Sequence, residues 1–283
     1  MLNFLHILSK PDNIPIAAMI PLFALALLWA VKQAGRPSRP EAEAQEKIHT
    51  WPYLARLEFL AAALTLIVLA VWSIMIDAPL EQAANTMVTP NPAKAPWYFL
   101  GLQELLVYYD PWIAGVIIPT FIIIGLALIP YLDVNEKGAG QFNFRDRPFA
   151  VSVFIFGFLA LGLGLIIFGV FFRGPGWNFF WPWQYWDHTK VVAITNINLP
   201  EALGVKSARA RFILGGILVF GWYSLGIPFY LAFRKRPFLQ KLGWWRYGLV
   251  AFFLLAMFAI PIKILLRHIF NIKYIWVTPW FNF

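Results

Sequence analysis

Six long runs of this sequence contain no charged residue. A helix needs about 20 apolar residues to cross roughly 30 Å of hydrocarbon. The runs that approach or exceed this length lie at residues 14–31, 59–76, 111–132, 148–172, 212–233 and 247–262. The composition agrees, because 60% of the 283 residues are hydrophobic and 13% are charged, against about 25% charged in soluble domains. We therefore expect an all-α, polytopic transmembrane protein with about six spans.

The first run, 14–31, could be compared with a secretory signal peptide. Its apolar stretch exceeds the usual 7–15 residues of such a peptide, and no clear small-residue cleavage site is present. We expect a helix that is retained in the protein.

Residue types exclude several kinds of redox site. The chain has no cysteine, which excludes disulfides, cysteine-ligated iron–sulfur clusters and covalent c-type haem attachment within it. The four histidines, His6, His49, His188 and His268, all lie outside the uncharged runs. Because a transmembrane b-type haem needs facing imidazoles at membrane depth, we expect no haem and no metal site on this chain.

Basic residues concentrate in one set of loops. The formal net charge is +9, and loops 32–58, 133–147 and 234–246 hold 13 of the 23 lysines and arginines. This distribution is typical of topology signals that keep basic loops in the cytoplasm, so it indicates a lipid membrane and not a nucleic acid as the partner. We expect a multi-pass protein of a bacterial inner membrane, with both termini and loops 77–110 and 173–211 on the outer, electropositive side.

The loop between the second and third runs holds the densest polar and aromatic chemistry, PAKAPWYFLGLQELLVYYDPW at residues 92–112. Pro96 suits the first turn of a short interfacial helix that runs from Trp97 to Tyr109. Glu104 shares a stripe of that helix with Trp97. A flat aromatic pocket with one carboxylate suits a lipid-soluble, ring-shaped substrate that loses protons on oxidation. The alternative is an amphipathic interfacial helix without a ligand.

A second outer segment, RGPGWNFFWPWQYWDHTK at residues 173–190, is rich in tryptophan. Tryptophan rings are common at the level of the lipid headgroups, so this segment predicts an interfacial belt. A docking surface for a peripheral partner is the alternative.

Residues 77–148 resemble the C-terminal half of cytochrome b and, in layout, subunit IV of cytochrome b6f complexes. The signature stands as Ala-Pro-Trp-Tyr at residues 95–98, where the family has Pro-Glu-Trp-Tyr at the head of a short helix in an outer loop. The stretch IPYLDVNEKGAGQFNFRDRP at residues 129–148 is similar to the family's cytoplasmic turn. The resemblance covers the second to fourth spans, about half of the chain.

The resemblance implies a subunit of a quinol:cytochrome c oxidoreductase, in which electron transfer is coupled to proton translocation. Quinol would be oxidised at the outer face, bound at a subunit interface that this chain lines with Pro96, Trp97, Tyr98, Phe99 and Leu100. The b-type haems are expected on a partner, an N-terminal cytochrome b (b6-like) subunit that carries the haem histidines. A Rieske iron–sulfur protein and a c-type cytochrome would complete a dimeric complex.

The chain departs from the family at one important position. Where the motif has a glutamate thought to accept a quinol proton, this sequence has Pro96. Glu104 is the nearest downstream carboxylate, and partial desolvation at the interface would suit it to accept a proton. It lies about 12 Å further along a helix, so it cannot occupy the same point. Glu81 is a second candidate for the catalytic base, and a merely solvated Glu104 is the alternative.

The resemblance divides the chain into three parts. Residues 1–50 form an extra N-terminal helix and a cytoplasmic linker, residues 51–190 the cytochrome b-like region, and residues 191–283 an extension with two further spans. Two other functions stay open at this point, a non-catalytic membrane scaffold of a respiratory or photosynthetic assembly and a transporter. The uncharged runs contain no carboxylate, which is unfavourable for an ion-coupled transporter.

Overall fold

The computed structural model describes most of the chain. The described residues are 2–10, 13–34, 49–77, 83, 85–87, 89–137, 143–187, 189 and 195–283. Every regular element in these ranges is a helix. The α-helices are α1 (Leu2–Ser9), α2 (Ile14–Ala34), α3 (Ala55–Met75), α4 (Trp97–Leu105), α5 (Ile118–Leu132), α6 (Pro148–Phe154), α7 (Gly164–Phe171), α8 (Leu199–Ala202), α9 (Ala208–Ser224), α10 (Gly226–Phe233) and α11 (Pro237–Phe270).

Several of these helices join into longer rods through π-helical turns. Such turns cover Thr50–Leu54 before α3, Ile113–Ile117 before α5 and Ile155–Leu163 between α6 and α7. Within the described residues, five helical stretches are long and apolar enough to cross a membrane, namely Thr50–Met75, Ile113–Leu132, Pro148–Phe171, Ala208–Phe233 and Pro237–Phe270. The first run forms a shorter apolar helix over Ala17–Gln33. The all-α, polytopic architecture is therefore confirmed.

The last helix is much longer than its uncharged run at 247–262. Lysines and arginines lie near both of its ends, and at the C-terminal end Lys263 and Arg267 are buried. Gly243 has φ of 76° and interrupts the helical geometry, which only glycine does at low cost. Asn271, with φ of 56°, ends α11 in the left-handed conformation that commonly closes a helix.

The chain divides into two compact units. One contains Leu5–Thr89 with Gly138–Pro148, and the other contains Met1–Phe4, Pro90–Lys137 and Phe149–Phe283. In the second unit α4 lies close against α7, since a Cβ at Gly169 would be only 2.9 Å from the Leu100 side chain. The three-part division predicted from the sequence stays a prediction.

A hydrophobic cluster underlies the short helix α4. Its buried members are Leu105, Tyr108, Tyr109, Ile113, Ala114 and Leu165. Residues 271–283, which follow α11, are called the C-terminal segment below. Half-buried residues of α11 and of this segment, including Ile264 and Phe283, pack against the cluster. The C-terminal segment folds back on itself, because the backbone N–H of Trp276 and the carbonyl of Phe283 are 3.0 Å apart, and Phe283 N–H donates to Trp276 at 2.8 Å. Helix α4 is thus held by α11 and the C-terminal segment.

Candidate functional site

Helix α4 begins where the sequence predicts it. Pro96 is its N-cap, with φ −51° and ψ 148°, and Trp97 is its first helical residue. The Gln103 side chain ties the helix back to the preceding loop, accepting from Ala95 N–H at 2.7 Å and donating to the Ala93 carbonyl at 2.9 Å. The helix ends at Leu105 instead of the predicted Tyr109, and the following residues form a turn.

Glu104 lies in a buried ion pair with Arg173. Glu104 is 0% exposed and Arg173 4%. Arg173 Nη2 lies 2.7 Å from Glu104 Oε1, and Arg173 Nε lies 2.9 Å from Oε2, so the pair is bidentate. Burial opposes the charge of Arg173, but the hydrogen bonds and charge of Glu104 outweigh it and raise the pKa of Arg173. The guanidinium therefore remains charged beside the carboxylate.

Tyr108 extends this pair toward the surface. Its hydroxyl donates to Glu104 Oε1 at 2.7 Å, and the same oxygen lies 3.1 Å from His268 Nε2. Burial first, and then the charge of Glu104, raise the pKa of Tyr108, so the phenol stays neutral. Four side chains from three parts of the sequence thus form one hydrogen-bonded chain that ends at an exposed imidazole.

An aromatic wall borders that imidazole. The ring centroids of Phe168 and His268 are 6.0 Å apart. Phe168, Phe172 and Phe179 stack on one another with centroid distances of 5.3, 5.6 and 5.8 Å. The Arg173 guanidinium lies over Phe168 at 5.2 Å, a cation–π arrangement. These three phenylalanines, half-buried, are named the aromatic wall below.

The residues predicted to line a quinol site lie on two different faces of α4. Pro96, Trp97, Tyr98 and Phe99 are exposed, with Tyr98 and Phe99 centroids 4.9 Å apart. Leu100 is 2% exposed and points inward with Glu104. The structure therefore does not bring Glu104 onto the exposed face of the aromatic rings. Glu81 lies outside the described residues.

A groove lies on another side of α4. Its volume is about 410 Å³, and it is lined by Asn91, Pro92, Ala93, Gln103, Leu106, Val107, Gly176 and Trp177. Trp177 has φ of 58°, and its indole Nε1 is buried without a hydrogen-bond partner among the described residues. The groove contains none of the residues predicted to bind quinol, so it is separate from the exposed rings.

Sequence reasoning missed Arg173 and His268. They are 69 and 160 positions from the residues they contact, and no spacing rule connects positions so far apart. One signal was present for Arg173, because a lone arginine directly after an apolar run needs a carboxylate if it is buried. The sequence gives a reason to consider His268 only as a haem ligand. A second signal is its position beside Lys263 and Arg267, which together indicate a polar cluster at the end of the last uncharged run.

Comparison with known proteins bears on the same segment. Residues 83–169 match the family model described as cytochrome b(C-terminal)/b6/petD. No solved structure matches the chain. The matched residues include α4, the third span and nearly all of the fourth span, whereas Arg173 and His268 lie beyond them. Residues 83–169 are thus similar to the cytochrome b C-terminal/b6/petD family, and they lie within a chain whose long apolar helices are those of a multi-pass membrane protein.

Proposed function

We propose that this chain forms part of the outer quinol oxidation site of a quinol:cytochrome c oxidoreductase in a bacterial inner membrane. The observation that carries the proposal is the position of α4, which lies inside the family segment and bears three exposed aromatic rings at its start. Exposed Trp97, Tyr98 and Phe99 form one contiguous patch, with neighbouring ring centroids 5.7 and 4.9 Å apart. Such a patch suits a wall that a partner subunit completes, since contiguous exposed apolar surface commonly marks an interaction site.

The family segment implies an N-terminal cytochrome b subunit as partner. On this proposal that b6-like subunit supplies the haem histidines, a Rieske iron–sulfur protein takes the first electron, and a c-type cytochrome receives it in a dimeric complex.

Pro96 and Leu100 lie on either side of the three aromatic residues in the sequence, and together they fix which face of α4 carries the rings. Pro96 fixes the start of the helix, and Leu100 fits against Gly169 on the opposite face. Glu104 supplies the negative charge of the site, and because its own side chain is fully buried, the Tyr108 hydroxyl links it toward the surface. Glu81, in the same outer loop, is the alternative carboxylate.

Purification of the intact complex tests this function. The tagged chain is isolated from its native membranes in mild detergent, the copurifying subunits are identified, and haem spectra and quinol:cytochrome c turnover are recorded. We expect a b-haem subunit and turnover in the complex, and no haem on the chain when it is expressed alone. A complex without a cytochrome b subunit, or without quinol turnover, would contradict the proposal.

Substitution of the exposed rings separates a catalytic subunit from a scaffold. Trp97→Ala and Tyr98→Ala should each lower quinol turnover while the subunits and haems remain, because these rings contribute little to the buried core. Tyr185→Ala is the matched control, since Tyr185 is 80% exposed on the tryptophan-rich segment. Wild-type turnover in both α4 variants would favour the scaffold alternative.

A further inference from the structure

The hydrogen bonds that link the side chains of Arg173, Glu104, Tyr108 and His268 have a defined direction. Tyr108 has one hydroxyl hydrogen, and Glu104, which is an acceptor only, takes it at 2.7 Å. The Tyr108 oxygen is then an acceptor toward His268 Nε2 at 3.1 Å. A neutral His268 therefore keeps its hydrogen on Nε2, and Nδ1 is left with a free lone pair. These hydrogen bonds therefore fix the tautomer of His268, and its Nδ1 can accept a proton.

The surroundings of His268 suit a flat, partly apolar ligand. His268 is exposed, whereas Tyr108 is 1% exposed and Glu104 0%. The aromatic wall begins beside the imidazole and offers stacked ring faces that are only half-buried. A hydroxylated aromatic ligand placed against this wall would bring its hydroxyl close to His268, the exposed member of the four hydrogen-bonded side chains.

Glu104 itself is poorly placed to meet a ligand. Both of its oxygens bind Arg173, and direct contact with a substrate would require the pair to separate in a buried site. Separation would leave a buried, unpaired charge, which is strongly unfavourable. Its negative charge faces His268 through the Tyr108 hydroxyl without moving, while the positive charges of Arg173 and Arg267 oppose a positive charge on the imidazole.

This inference rests on the quinol-oxidising function proposed above but places the quinol at the aromatic wall and not at the exposed rings of α4. We propose that His268 is the catalytic base that accepts the quinol proton. The quinol ring lies against the aromatic wall, its O–H bond breaks, and the proton forms a new N–H bond at His268 Nδ1. The electron pair of the broken bond stays on the quinol oxygen, and the resulting anion gives one electron to the partner's iron–sulfur centre. Tyr108 and Glu104 are positioning residues.

Turnover of the purified complex tests the role of the imidazole. His268→Gln should lower kcat on the order of 10²-fold, within the usual range for loss of a general base, with little change in KM and with unchanged subunits and haem spectrum. His268→Ala should regain part of its turnover when free imidazole is added, which a purely structural role would not allow. His6→Gln is the control, an exposed histidine on α1.

A positioning role for Tyr108 makes its own prediction. Tyr108→Phe keeps the buried ring but removes the hydroxyl that links Glu104 to His268. We expect a smaller fall in kcat than for His268→Gln. The double variant should fall no further than His268→Gln alone, because both substitutions interrupt the same series of hydrogen bonds. Additive losses would contradict the coupling.

Two failures can be told apart. A wild-type complex without quinol turnover would overturn the proposed function, whereas an active complex in which His268→Gln turns over normally would overturn only the role of His268. Should the variant fail to assemble, photolabelling of the wild-type complex with an azidoquinone decides the question. Label on peptides that contain Phe168–Phe179 or His268 supports the site, and label confined to Trp97–Phe99 or to the partner overturns it.

Discussion

At the residue scale, the buried ion pair of Glu104 and Arg173 determines which substitutions at these two positions the protein tolerates. Each partner is almost completely buried, so each depends on the other to offset the loss of hydration. The exposed pair of Glu201 and Arg211 has the same chemistry with more than a third of each side chain accessible. Surface pairs of that kind contribute little, because water and salt screen them.

We therefore expect Arg173→Leu to destabilise the protein far more than Arg211→Leu. Removal of one partner from a buried pair costs about 3–5 kcal/mol, since the Glu104 carboxylate would be left without its counter-ion. The measurement is the free energy of unfolding of the purified protein in a denaturing-detergent titration. Equal small losses in the two variants would mean that water already reaches Glu104. The double variant Glu104→Leu with Arg173→Leu should recover part of the loss, because no unpaired charge remains.

At the element scale, the position of Glu104 depends on how closely α4 packs on α7. A Cβ at Gly169 would lie 2.9 Å from the Leu100 side chain and 3.5 Å from its carbonyl. Gly101 faces the same interface, where a Cβ would lie 3.3 Å from Ile166. Small residues at both positions allow the two helices to approach until Glu104 and Arg173 can pair.

Gly169→Ala should separate these helices and weaken the pair of Glu104 and Arg173. Overpacking of this kind typically costs 1–3 kcal/mol, and we expect both a lower unfolding free energy and reduced quinol turnover. Gly221→Ala is the matched control, because nothing lies within 4 Å of a Cβ at that helical position. Alanine there should be neutral or slightly stabilising, as alanine is the better helix former. Equal effects of the two substitutions would show that the interface tolerates a methyl group.

The elements differ in how far the sequence predicts them. The start of α4 follows from Pro96, whose fixed φ and missing N–H suit a helix start. Asp110 precedes proline and is therefore disfavoured in the helical region, which limits the helix to residues before it, but the end at Leu105 is not explained by the local sequence. The sequence could not predict that Glu104 faces inward, since the stripe it occupies is buried only when α7 and α11 pack against it. Local pattern thus defines the helix, and tertiary packing decides which of its residues meet.

At the scale of the whole molecule, the last span and the C-terminal segment act on the family segment although they lie outside it. His268 on α11 bonds Tyr108, and the Phe283 ring lies 5.7 Å from Tyr109. Lys263, 2% exposed, has its ammonium 5.2 Å from the Tyr109 ring. The extension with two further spans, whose role the sequence left open, therefore supports the turn that follows α4.

The two ends of the larger compact unit also differ in chemistry. One end contains Glu104, Arg173 and the C-terminal segment. At the other, Arg246 Nε donates to the Tyr131 carbonyl at 3.0 Å, and Lys241 Nζ lies 3.7 Å from Glu136. Parts of two of the three loops predicted to face the cytoplasm, 133–147 and 234–246, thus lie together in this unit, and the orientation across the membrane stays a prediction.

Cysteine labelling in intact cells can test this orientation, because the chain has no cysteine of its own. Thr189 and Gln240 are exposed, uncharged residues, so Thr189→Cys and Gln240→Cys leave the count of basic residues unchanged. An impermeant thiol reagent should label Thr189→Cys in intact cells and Gln240→Cys only after the membrane is permeabilised. The reason for this expectation is that the lysines and arginines of the loop around Gln240 favour its retention in the cytoplasm. The opposite pattern would place the Glu104 network on the cytoplasmic side, where a quinol base could not release its proton outward.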